Sequence, residues 1–150
     1  MAVPIRASSQ RRADTLETLR RGGDVWVASA SASGEAHLIA LSYFWDGARL
    51  TVATPERNKT ARNLTRARRA RMALDLTGDV VIVEGPVEVI PLAADDELAA
   101  AHAAGAGFDV RTLAESYVFF RLTPDRVQAM RNPAEEPART IMRDGRWRDD

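Results

Sequence analysis

The stretch TPERNKTARNL, Thr54 to Leu64, holds the only lysine of a chain whose other twenty cationic side chains are arginine. Lys59 follows a strand-like run, Leu50 to Thr54, and the turn residues Pro55-Glu56. It precedes Ala61 and Leu64, which share helical spacing, so Asn58 to Ala67 reads as a short helix with Asn58 at its N-cap. A helix start presents unpaired N–H groups and the positive end of its dipole, and together these attract an anion. Arg57 can grip phosphate oxygens as a planar fork, Lys59 acts as a compact point charge, and Thr60 adds a hydroxyl. Such a strand, turn and helix suits one phosphate group. A solvated helix start would use the same residues, and physics alone leaves both readings open.

Other chemistry is sparse. His37 falls in a strand and His102 on an Ala-rich helix, where a surface position is expected. Asp95-Asp96-Glu97 reads as acidic residues at a helix start, which complement the macrodipole. Glu135-Glu136 and Asp149-Asp150 read as solvated charge. No nucleophile elbow, Walker loop or dinucleotide fingerprint is present. With no cysteine there is no disulfide, thiolate-zinc site or thiol nucleophile. No catalytic side chain and no metal site is therefore expected, and in an enzyme a cofactor would carry the chemistry. Arg57, Lys59, Arg62, Arg66, Arg68, Arg69 and Arg71 form a cationic run. It lacks interleaved aromatics, and Arg62, Arg66 and Arg69 fit the solvent face of a helix, so nucleic acid is not expected as a partner.

These residues need a scaffold, and 150 residues suggest a single domain. The net charge of +0 argues against a general nucleic-acid or membrane-surface role. Met1 to Gln10 has no apolar run like a signal peptide's, and no stretch approaches a membrane span, so a soluble, cytoplasmic protein is expected. Asp14 and Glu17 have capping-box spacing and predict a helix over Asp14 to Arg21. Strands are predicted over Asp24 to Ala32, His37 to Trp45, Leu50 to Thr54, Met72 to Leu76, Asp79 to Ile90, Ser116 to Leu122 and Arg126 to Met130. Turn signals lie at Ser33-Gly34, Asp46-Gly47 and Thr77-Gly78, and Gly85-Pro86 is expected to mark a bulge or an edge. Asp95 to Ala104 predicts a helix, and Thr140 to Arg148 a hairpin turning at Asp144-Gly145. The sum is a mainly β protein, a closed antiparallel barrel with helical additions.

From about Asp14 to Met130 the sequence resembles the pyridoxamine 5′-phosphate oxidase-like split β-barrel proteins, which use flavins or deazaflavins. The resemblance rests on HLIALSYFWDGARLTVAT, then RNKTARNL, ARMALDL and VVIVEGPVEV, ending in YVFFRLTPDRVQAM and RTIMRDGRWR, in the family's order. Lys59 to Leu64 is its most specific piece. It implies an FMN-binding-protein-like antiparallel Greek-key barrel, a homodimer, and a cofactor in the groove between subunits. Carried over by position, Arg57, Asn58, Lys59 and Thr60 hold the cofactor's phosphate. His37, Ala40, Leu41 and Ser42 run beside the ring, and Ala53 and Thr54 lie near the ribityl chain. Leu41 could instead be core, and His37 could face solvent. Asn63 reads as a structural helix residue. Many relatives have Ser, Thr or Ala in place of Asn58. The C-terminal substrate motif of a true pyridoxamine phosphate oxidase is missing, so vitamin B6 oxidation is not expected. The function implied is hydride transfer from coenzyme F-420, or alternatively FMN, to a small organic acceptor. A flavin-binding or carrier module without turnover is the alternative.

Overall fold

The computed structural model describes residues 4–74 and 78–149. Thr77 of the predicted turn Thr77-Gly78 and the end of the strand before it fall outside that description, as does Asp150. Helix α1 (Ser8–Arg21) leads into strands β1 (Asp24–Ala30), β2 (Ala36–Trp45) and β3 (Leu50–Pro55). Helix α2 (Lys59–Ala67) then connects to β4 (Arg69–Leu74) and β5 (Val80–Pro91). After α3 (Asp96–Ala106) come β6 (Tyr117–Leu122), β7 (Arg126–Met130), β8 (Thr140–Arg143) and the short β9 (Arg146–Trp147).

Strand order β4-β1-β2-β3 is a Greek key, because three consecutive strands are flanked by a fourth that returns beside the first. β3 continues through β6 to β5, and β5 pairs with β4, which closes six strands into a barrel. Alternation sets the interior. Val25, Val27, Tyr43, Val52, Met72 and Phe120 are all nearly inaccessible and pack together inside. Outside the wall, α3 covers a second cluster that includes Ala53, Phe119, Leu98 and Ala99. This explains why β3 is buried on both faces.

Three predicted details differ. Helix α1 starts at Ser8, so Asp14 sits in mid-helix and is no cap; its carboxylate accepts from Arg6 and Gln10 instead. The first turns bury Ser8, Arg11 and Thr15, polar residues that give no apolar periodicity. Gly85-Pro86 does not interrupt β5, which runs through. The break lies in its partner, between the end-to-end strands β6 and β7, where a Cβ on Gly85 would come within 1.9 Å of the Thr123 carbonyl oxygen. Glycine is needed there for close approach of two backbones. The C-terminal hairpin turns as predicted, with Asp144 (φ 53°) and Gly145 (φ 76°) both left-handed.

The N-terminus is fastened by charge. Arg6 donates to Glu135, Asp79 and Asp14 at 2.7–2.9 Å, and the Arg131 backbone N–H donates to Glu135 at 2.7 Å. Glu135, read from sequence as solvated, is fully buried. The Arg6 guanidinium holds its pKa down to about 2, against the opposing effect of burial.

Candidate functional site

β2 changes partner midway. Ala36 to Ser42 pair with β1, whereas Tyr43 to Trp45 pair with β3. Ala53 to Pro55 of β3 pair only with β6. The two strands therefore diverge beyond Tyr43 and Val52, which splits the barrel wall, and α2 packs over the region against β1, β2 and β3.

The start of α2 is unfinished as a local structure. Asn58 occupies the N-cap in extended conformation, yet makes no capping bond; its amide donates to Thr54 Oγ1 at 3.2 Å. The first-turn N–H groups thus lack a side-chain partner, since intrahelical bonding begins with Arg62 N–H to the Asn58 carbonyl. Thr60 is fully buried and its Oγ1 has no hydrogen-bond partner. An orphaned buried hydroxyl costs about 1–3 kcal/mol unless a ligand or water meets it. Lys59 and Arg57 are exposed; Lys59 Nζ lies 3.5 Å from a Glu35 carboxylate oxygen, and Arg57 Nε donates to Glu115 at 3.2 Å. Such exposed pairs are weak and readily exchanged. Uncapped N–H groups, an orphaned hydroxyl and an exchangeable ammonium fit a phosphate-bearing cofactor.

Beside this terminus lies a cleft of ≈ 140 Å³ lined by Ser31, Glu35, His37, Lys59, Arg62 and Asn63. His37 and Lys59 both line it. Arg62, Glu35 and Ser31 join them without having been singled out as contacts. Asn63 is nearly buried, and its amide donates to Ser29 Oγ at 3.0 Å, which fixes α2 to β1.

The remaining residues divide. Leu41 packs toward the barrel interior. Ala40 lies on the opposite face, in register with Trp26, and Ser42 donates to Asp24 at 2.9 Å. Ala53 and Thr54 are buried, Ala53 beneath α3, so their side chains are closed off within one chain. In the cationic run, Arg69 lies on β4 and not on the helix; it pairs with Asp125 and Glu84, and Arg71 with Glu84.

His102 corrects the sequence reading most. It is 1% exposed, with its ring 5.3 Å from that of Phe119 and edge-on to Phe108. Burial lowers its pKa, partly offset by Asp109 and the Ser42 backbone, so the neutral imidazole is the favoured core species. Leu98, Ala99 and His102 occupy one buried face of α3, which the surrounding alanines do not mark out. Asp95, as expected of an acidic helix start, is a cap whose carboxylate accepts from the Leu98 N–H. Among the described residues there is no group of three or more His, Cys, Asp or Glu side chains placed to hold a metal ion. Nor is any helix among them long and apolar enough to cross a membrane.

A split antiparallel barrel with an uncapped helix start beside the split defines the class. Residues 14–131 match the pyridoxamine 5′-phosphate oxidase family, and the chain belongs to it. No curated protein sequence matches it. Many solved structures are similar, among them the following three. Rv2991, a conserved hypothetical protein from Mycobacterium tuberculosis, is 18% identical over 86% of this chain and 90% of its own, with a TM-score of 0.65. A pyridoxamine 5′-phosphate oxidase-related, FMN binding protein from Nostoc punctiforme PCC 73102 is 14% identical (91% and 88% covered, TM-score 0.57). An F-420 reductase is 19% identical (74% and 93% covered, TM-score 0.58). At these identities the likeness shows the fold.

Proposed function

We propose that this protein is a cytoplasmic, homodimeric oxidoreductase that binds a flavin-type cofactor at the start of α2, taking coenzyme F-420 in preference to FMN. The observation that carries this reading is the uncapped helix terminus above the split, with Thr60 Oγ1 orphaned and Lys59 beside it. Lys59, Thr60 and the first-turn N–H groups would hold the phosphate, with Arg57 released from Glu115 to assist. The unpaired edge of β2, from His37 to Ser42, would lie along the ring. Bound there, the cofactor would supply hydride transfer to a small organic acceptor. Ala53 and Thr54 would contribute backbone only.

Dimer formation would draw on little exposed apolar surface. Phe119 and Phe120 are buried within one chain and offer no surface. Trp26 (42% exposed) and Leu38 (60%) do, on the outer face of the β1–β2 pair. The preference for F-420 rests on cations beyond the phosphate pocket, suited to its oligoglutamate tail. Arg62 lines the cleft, whereas Arg69 and Arg71 are engaged elsewhere.

Paired fluorescence titrations with F-420 and FMN at matched salt test the assignment. Tighter F-420 binding, with the advantage shrinking in high salt, is expected; FMN binding at least tenfold tighter overturns the preference. Steady reduction of an acceptor by the reduced holoprotein separates an enzyme from a carrier. Light scattering should give twice the chain mass of 16.5 kDa.

A further inference from the structure

A second cleft, sharing no residue with the first, opens between α1, the β2–β3 turn and the C-terminal hairpin. Its volume is ≈ 270 Å³, just below the range of about 300–1,000 Å³ typical of drug-sized ligands. Leu16 and Leu19 from α1, Val83 and Val127 from the barrel, and Met142 from β8 make its apolar walls. Two indoles, Trp45 and Trp147, complete it.

Its polar side-chain groups are all donors. Trp45 Nε1 is buried without a hydrogen-bond partner, although indole N–H groups ordinarily find one when buried. Arg12, one turn before Leu16 on the same helical face, stacks its guanidinium 5.0 Å above the Trp147 ring. Arg12 is exposed and is ion-paired to no carboxylate among the described residues. No acidic side chain lines the cleft. A cationic ligand would therefore face a guanidinium and an indole N–H with nothing to balance its charge. An anion with an apolar body would meet the guanidinium and fill the walls.

We propose that this cleft binds a small monocarboxylate carrying a single ring or a short aliphatic chain. The carboxylate meets Arg12 at the rim and the body lies against Trp45 and Trp147. The site is separate from the cofactor cleft: Trp45 and His37 stand eight positions apart on β2, a rise of about 27 Å.

The test uses the full chain labelled with ¹⁵N. Its three tryptophans give three indole N–H signals, assigned by single Trp→Phe variants. Phenylacetate and hexanoate are titrated, with phenylacetamide as the uncharged control. The Trp45 and Trp147 signals should shift saturably with the acids while that of Trp26 stays in place. Phenylacetamide should bind more weakly, and Arg12→Gln should weaken phenylacetate about fivefold or more without affecting the amide. Arg12 is exposed, so this variant keeps the fold, which an unchanged spectrum verifies. No saturable shift into the millimolar range would overturn the proposal and leave the indole N–H to a water molecule. Equal affinity for acid and amide, an unaffected Arg12→Gln variant, or an equal shift of Trp26 would overturn it as well.

Discussion

Two charged regions of this molecule are built to opposite rules. Around Arg6 the hydrogen-bonding capacity is used up: the backbone N–H, Nε and both terminal nitrogens each donate, and both Glu135 oxygens accept. At the start of α2 the capacity is left open, with uncapped N–H groups, an orphaned Thr60 hydroxyl and a long, exposed Lys59–Glu35 pair. A saturated cluster has nothing left for a ligand and serves to tie the chain together. An unsaturated one carries a local cost in the free protein that a bound anion can relieve.

The largest effect should come from breaking the saturated side. Glu135→Gln leaves Arg6 short of a buried partner and should cost about 3 kcal/mol of stability in chemical denaturation. The same residue sets an acid response. Its carboxyl is held at about 2 in the folded chain against 4.5 ordinarily, so the unfolded state binds the proton first. This contribution is complete above about pH 4.5 and fades as the pH falls toward 2. Stability measured across that window should lose its steepest part in Glu135→Gln; an unchanged slope would show that the cluster does not fasten the fold.

The unsaturated side should respond in the other way. Lys59→Ala should weaken cofactor binding by about 1.5–3 kcal/mol and leave folding stability within about 0.5 kcal/mol. Lys59→Arg should recover part of the loss, because the planar fork replaces a compact charge. Titration and denaturation of the same samples check both halves, and parent-like binding by Lys59→Ala sinks the assignment. The smallest effect sharpens the contrast most. Thr60→Val removes the orphaned hydroxyl at nearly constant shape, so the free protein should gain about 1 kcal/mol while its cofactor affinity falls. A variant with both quantities unchanged would mean that water already satisfies that hydroxyl.

The β1–β2–β3 meander and α2 were legible in the sequence because alternation, Asp46-Gly47 and the helical spacing of Ala61 and Leu64 are local signals. The Arg6–Glu135 contact was not, because its partners are 129 positions apart and each looks solvated alone. His102 was misread because an Ala-rich helix hides its buried face among small residues. Arg69 was misread because the cationic run continues past the end of α2 at Ala67 into β4 without any change in composition. Nothing local foretold that Ala53 and Thr54 would be sealed, since it takes α3, some forty residues later, to cover Ala53.

β5 pairs with β4 and β7 through its first half and with β6 through its second. It is thus the strand on which the order of assembly turns. The β1–β2 and β2–β3 pairs join neighbours in sequence and can form early, but Leu50 must wait for Leu122 and Val80 for Met130. Such distant pairings slow folding because loop closure must precede the contacts that reward it. Until β5 is in place, β4 and β6 both keep open edges, a state prone to association between chains. Once it is in place its amides should be among the last to exchange with solvent, since releasing them requires the barrel itself to open.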